Sequence, residues 1–242
     1  MSKQATRQHR ASRLAQERQA ALRRRRRRAL WWSLAIVSGL VVGSLAGYVV
    51  YQEQRPTQPA AAPAAVAADR AGVVLGSGPV TVELYSDFLC PACRAFERDA
   101  RDEIDTLLAG GRIRLVYRPV AILDRLSSNE YSTRTAAAAG CAADAGKLIE
   151  YGKVLFDNQP AEGGAGHDNE ALIRLAGTAG ITDAGFGQCV RDGRYLAWVG
   201  TVTDTMAARD VRGTPTVFVA GTQLTNPDGA RLVAAVDAVT TK

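Results

Sequence analysis

The residues of this 242-residue chain best placed to do chemistry together are Cys90 and Cys93, two cysteines with Pro91 and Ala92 between them. A C-x-x-C pair supports thiol–disulfide exchange: one sulfur attacks or is attacked, and the other resolves the mixed disulfide. Zinc is the main rival, but a structural zinc site wants a second such pair or nearby histidines. The remaining cysteines, Cys141 and Cys189, stand alone, and the two histidines, His9 and His167, are not near a cysteine in sequence. The pattern therefore favours redox chemistry with neither metal nor organic cofactor.

Local sequence says how the pair is held. Val80 to Tyr85 alternates with β-branched and aromatic residues and predicts a strand, and the segment after Pro91 begins a helical pattern. The cysteines thus sit on a strand-to-helix turn. Proline suits the first helical position, which puts Cys90 at the N-cap with unpaired backbone N–H groups facing its sulfur. Those donors and the helix dipole lower its pKa and predict an exposed thiolate there. Cys93, one turn further in, is expected to be less accessible and less acidic. The remaining cysteines of an exported domain, Cys141 and Cys189, are expected to pair with each other.

The elements around the turn follow in order. Val73 to Leu75 predicts a short edge strand, and the active-site helix should end near Gly110 and Gly111. The run Arg112 to Tyr117 alternates again, completing a strand–helix–strand unit with right-handed crossover. From about 127 to 210 the pattern turns helical: an Ala-rich piece through Cys141, then Lys147–Phe156, Asn169–Ala179, Asp183–Asp192 and Tyr195–Arg209. Gly213-Thr214-Pro215 precedes a β-branched run, Ala220-Gly221-Thr222 turns a hairpin, and Asp228–Val239 closes the domain as a helix.

Charge and hydropathy divide the rest. Residues 1–28 hold 11 of the 30 Lys and Arg but one of the 24 acids, which leaves 19 basic and 23 acidic side chains, net −4, in the remainder. Nucleic-acid binding by the folded domain is therefore not indicated. The basic tail ends in six arginines and abuts Ala29–Tyr51, which carries no charge. Such a run at about 1.5 Å per residue crosses a hydrocarbon core of about 30 Å. Trp31, Trp32, Tyr48 and Tyr51 lie near its ends, and the arginines place the N-terminus in the cytoplasm. A cleaved signal peptide fits less well, because the run exceeds the usual apolar length and the small-residue site Ala65-Val66-Ala67 lies far beyond it. Gly39, Gly43 and Gly47 line one face of the span and allow weak helix pairing. Residues 52–71, rich in Ala and Pro, read as a tether, so the catalytic domain, 72–242, is expected outside the cytoplasmic membrane.

Taken together, Ser86-Asp87-Phe88-Leu89-Cys90-Pro91-Ala92-Cys93 and the later Gly213-Thr214-Pro215-Thr216 resemble the membrane-anchored, DsbA-like thiol–disulfide oxidoreductases of bacteria. The resemblance covers about residues 72–242 and implies an α/β thioredoxin-like fold with a helical insertion, here preceded by a single transmembrane helix. It implies a cis bond before Pro215, which lies against the active-site disulfide, and backbone groups at Thr214 that pair with an extended client. It also implies an oxidase that donates the Cys90–Cys93 disulfide to unfolded or reduced secreted proteins, with a quinone-linked membrane reoxidase of the DsbB or VKOR type. The alternatives are a reductase or isomerase of the same fold, or a tethered chaperone or binding module whose cysteines are structural. One departure stands out. Many relatives carry a buried acid six residues before the first cysteine, and here that position is Leu84; strand alternation turns the adjacent Glu83 to the opposite face.

Overall fold

The computed structural model describes residues 60–240. The basic tail, the apolar run 29–51 with its glycine stripe, and tether residues 52–59 lie outside them. Among the described residues no helix is long and apolar enough to cross a membrane.

Five strands form one sheet in the order β1-β3-β2-β4-β5. They are β1 (Val73–Leu75), β2 (Val80–Ser86), β3 (Ile113–Pro119), β4 (Thr216–Val219) and β5 (Thr222–Gln223). The centre is β2, parallel to β3 with Val82 opposite Leu115 and antiparallel to β4 with Leu84 opposite Val217. A strand paired on both edges and covered on both faces needs apolar side chains throughout, and β2 supplies them apart from Thr81, the terminal Ser86 and Glu83. Glu83 is 8% exposed and does face away from the active-site helix, where Arg118 and Arg209 pair with its two oxygens at 2.8 and 2.6 Å.

Helix α1 (Pro91–Ala109) connects β2 to β3. Its buried stripe, Cys93, Phe96, Ala100, Ile104 and Leu107, recurs at three- and four-residue spacing and so lies on one face against the sheet. The helix stops at Gly110, and Gly111 takes a φ of +60°, a conformation that costs glycine little. Helix α7 (Gly229–Thr240) packs beside α1. Its first residue has to be small: the Gly229 N–H donates to Asp99 at 2.7 Å, and a Cβ there would lie 3.0 Å from the Asp99 carbonyl oxygen.

The insertion comprises a 3-10 turn (Asp124–Leu126) and helices α2 (Tyr131–Asp144), α3 (Leu148–Asp157), α4 (Asn169–Thr178), α5 (Ala184–Arg191) and α6 (Leu196–Ala208). Alanines 136–139 of α2 are buried and let neighbouring helices approach closely, while Gly140 lies directly under the Tyr195 ring. Periodicity locates these helices to within a few residues. It misses the 3-10 turn, which is fixed by Asp124 accepting from the Thr133 N–H and hydroxyl at 3.0 and 2.5 Å. Asp168 and Asp183 cap α4 and α5 as their sequence positions suggest. Cys141 of α2 and Cys189 of α5 are joined in a disulfide with a Cα–Cα distance of 6.0 Å.

The tether boundary at residue 71 needs correction, because residues 60–71 lie on the domain. Val66 bridges Val73, the Ala64 N–H donates to Asp144 at 2.9 Å, and the Trp198 indole N–H donates to the Arg70 carbonyl at 2.8 Å. Asp69 pairs with Arg118 at 2.8 Å, and Ala71 is wholly buried. Composition suggested a free linker because alanine-rich segments lack an apolar period. The same small side chains let this backbone lie close against the sheet edge and α6.

The disulfide spans 48 residues, a loop whose closure is worth up to about 4 kcal/mol in the chain-entropy account. Replacing both Cys141 and Cys189 by Ala should lower the unfolding free energy towards that extent in urea titrations. An unchanged midpoint would show that helix packing alone holds the insertion.

Candidate active site

The turn between β2 and α1 carries both free cysteines, and its geometry follows from the sequence around it. Cys90 has extended backbone (φ −72°, ψ 119°) and sits at the N-cap with Pro91 following. As a thiol it makes no capping hydrogen bond within the helix; its Sγ instead reaches the carbonyl oxygen of Thr214 at 3.4 Å. The Thr214–Pro215 peptide is cis. Thr214 and Pro215 thus flank the first cysteine from the start of β4, and Pro91 and Ala92 form the exposed first turn of the helix.

The two sulfurs differ sharply in acidity. The Cys93 thiol, hydrogen-bonded to the Cys90 sulfur, is the main reason that Cys90 is held down at about 5, well below an ordinary thiol. Burial opposes this, and Thr214 and the backbone N–H groups of Cys93 and Ala92 add to it. Cys93 is pushed well above the usual thiol range, first by burial and then by the hydrogen bond to Cys90 and the negative charge there. The expectation of an exposed Cys90 is corrected in degree. Cys90 keeps 7% of its surface and Cys93 1%, so the first sulfur is recessed between the turn and the Thr214 strand end, yet it remains the more open of the two.

Three features that sequence reading gave no role hold the turn. Asp87 is fully buried, and its carboxylate accepts from the Leu89 N–H at 2.9 Å, the Ser132 hydroxyl at 2.7 Å, and the Ile122 and Leu123 N–H groups at 2.9 and 3.1 Å. Burial raises its pKa to about 6, against the pull of those donors. Gln159, just past α3, donates its amide to the carbonyls of Phe88 and Cys90, each at 2.9 Å. Phe88 packs between Tyr117 and Phe156, with ring centroids 6.2 and 5.0 Å away. Asp87 had a readable signal as a lone acid in an apolar run. Gln159 had none, since it stands 69 residues from Cys90 in sequence.

The other predicted residues fall apart from this cluster. Cys141 and Cys189 are bonded to each other, and the His167 ring nitrogen lies 2.7 Å from the Asn158 carbonyl oxygen. Among the described residues no group of three or more His, Cys, Asp or Glu is arranged to hold a metal ion. Leu84, six residues before Cys90, is buried.

Comparison with known proteins gives the same picture on other grounds. The sequence model of the family described as Thioredoxin matches residues 70–238. A solved structure of the reduced disulfide bond oxidoreductase DsbG of Mycobacterium tuberculosis is 35% identical with a TM-score of 0.61, over 74% of this chain and 86% of that one. Oxidised DsbA of the same organism is 36% identical with a TM-score of 0.61, over 73% and 91%. Among curated proteins, the serine/threonine-protein kinase PknE of M. tuberculosis is 32% identical over 160 residues, which is 61% of this chain and 28% of the kinase. The chain therefore spans under a third of the length of the curated relatives it matches.

Two measurements test this geometry. In the reduced domain, the rate of iodoacetamide alkylation should follow the Cys90 thiolate with a midpoint near pH 5, while Cys93 stays unmodified across the same range. Alkylation first at Cys93 would reverse the assignment. Asp87→Asn should cost about 1–3 kcal/mol of stability in urea, because its amide group must face N–H donors on one side or the other. An unchanged unfolding midpoint in that variant would mean that the buried carboxylate does not hold the turn.

Proposed function

The chain belongs to the thioredoxin family, in its DsbA-like group, and on that basis we propose that it is a membrane-tethered thiol–disulfide oxidoreductase acting as an oxidase of secreted proteins. The observation that carries this reading is the inequality of the two sulfurs on one helix N-terminus. A client thiolate attacks the sulfur of Cys90, the bond to Cys93 breaks, and a mixed disulfide forms at Cys90. A second client thiolate then attacks the client's sulfur in that mixed disulfide and expels Cys90, which leaves readily because its thiolate is stabilised.

The same stabilisation favours the oxidase direction. The thiolate exists only in the reduced protein, and disulfides whose reduced form is stabilised are the stronger oxidants. The sign is consistent: Cys90 titrates below an unfolded thiol, so the gain is fully present above the ordinary thiol pKa and declines as the pH falls towards 5. At neutral pH about half of the gain remains. Thr214, whose carbonyl already touches the Cys90 sulfur, is the natural place for an extended client to pair by its backbone, which gives affinity without sequence preference.

Tethering rests on the arginine run and the uncharged stretch 29–51, which together favour a single-pass anchor with the catalytic domain outside the cytoplasm. An oxidase in that position needs a membrane partner to reoxidise it, of the DsbB or VKOR type. A Cys93→Ser variant expressed in cells should accumulate mixed disulfides on Cys90, visible as reducible adducts on gels, and Cys90→Ser should accumulate none. Equilibration of the isolated domain with glutathione separates the directions: a strongly oxidising dithiol pair fits the oxidase, whereas one resistant to reduction would make the protein a reductase.

A further inference from the structure

The face of the sheet turned away from α1 carries a pocket that the exchange chemistry does not use. It measures about 340 Å³ and lies between Ala67 and Asp69 of the folded segment before β1 and Arg209 just past α6, over Val74, Arg114 and Val116 of the strands. Small-molecule sites occupy about 300–1,000 Å³. The register of β2 on β3 sets Thr81 beside Arg114 and Glu83 beside Val116, and alternation brings all four to this one face. Three guanidinium groups and two carboxylates line the pocket, and the carboxylates are spent. One Glu83 oxygen is taken by Arg118 and the other by Arg209, while Asp69 pairs with Arg118 at 2.8 Å. Arg114 is exposed, and among the described residues its guanidinium meets no carboxylate; it donates to the Thr81 hydroxyl at 2.9 Å. One positive charge is therefore left over.

Arg209 also has N–H groups to spare, since it gives one to Glu83 and lays its guanidinium over the Phe218 ring at 5.0 Å. The Arg114 and Arg209 side chains reach Thr81 and Glu83, two residues apart on β2 and so about 7 Å from each other. A single anionic group set between them can accept from both. The Thr81 hydroxyl, which accepts from Arg114, keeps its own proton to donate. Beyond the charges, Val74, Val116 and Ala67 present apolar surface. We propose that this pocket binds a free, singly charged carboxylate on a short apolar chain, with the carboxylate between Arg114 and Arg209 and the chain over Val74 and Val116. A bare anion leaves the apolar floor unused, and an alcohol leaves the extra charge unmatched. The surface of an anionic bilayer offers similar chemistry, so the test has to tell the two sources apart.

The full chain is placed in phosphatidylcholine nanodiscs and dialysed to equilibrium against labelled octanoate at physiological ionic strength, with empty nanodiscs as the blank. Binding should saturate, with acetate and octanol at least about tenfold weaker as competitors. Arg114→Gln should weaken it by about tenfold or more, the scale of a lost charge-assisted hydrogen bond. Arg114→Lys should recover only part, because an ammonium lacks the planar fork that matches a carboxylate. The urea midpoint and the glutathione equilibrium of the Cys90–Cys93 pair should stay as in the parent in both variants, since Arg114 is exposed and lies on the face away from α1. Absence of saturable binding by the parent overturns the proposal, as does equal binding by Arg114→Gln or competition by octanol as strong as that of octanoate itself. The same assay in phosphatidylglycerol nanodiscs distinguishes the sources, because surface charge is largely screened at this salt. Unchanged octanoate binding there supports a free ligand, whereas its loss gives the pocket to bilayer headgroups and overturns the proposal.

Discussion

The hydrogen bond between the two sulfurs of the C-x-x-C turn is the interaction on which the rest of the structure depends. It makes Cys90 a thiolate near neutral pH and Cys93 a reluctant one, and it exists only while a helix N-terminus holds the sulfurs one turn apart. Nothing about a tetrapeptide in water keeps that geometry. The domain keeps it by clamping the backbone on both sides. Phe88 and Leu89 are buried before the pair, the α1 stripe is buried after it, and the Thr214 strand end closes over the first sulfur.

Much of that clamp comes from the insertion. Helix α2 supplies the Ser132 hydroxyl to Asp87, α3 supplies Phe156 to the Phe88 ring, and Gln159 just beyond it holds the carbonyls of Phe88 and Cys90. The insertion is therefore part of the active-site wall and not an appendage to a finished domain. A disulfide between α2 and α5 ties the Ala-rich helix nearest the site to a later helix of the insertion that packs against it.

The strap at residues 60–71 links the two layers on the other side. It hydrogen-bonds to Asp144 at the far end of α2 and to Trp198 of α6, and Asp69 joins Arg118 and Glu83 in an ion-pair cluster on the face of the sheet away from α1. Arg118 is nearly buried, so the cluster holds its charge only because two carboxylates and the Ala71 carbonyl surround it. Ser132, at the opposite end of α2 from Asp144, touches the active-site turn. A helix of 14 residues is about 20 Å long, so the Ala64 contact of the strap lies well away from the active-site turn.

The sequence by itself determined the reaction class, the strand-to-helix turn, the parallel β2–α1–β3 unit, the helical character of the insertion and the direction in which Glu83 points. Each is a matter of local spacing: two cysteines in register with a helix start, alternation at period two, apolar recurrence near 3.6. Only the tertiary structure decided how far Cys90 is recessed, that residues 60–71 are folded rather than free, and that Asp87 and Gln159 hold the turn. Their partners come from α2, the stretch after β3 and the stretch after α3, and no period in one segment encodes a contact with another. Glu97 illustrates the division well. Its place four residues after Cys93 on α1 can be counted from the sequence, but that it is held from the end of α3, through Arg101 and Asp157, depends on where that helix packs.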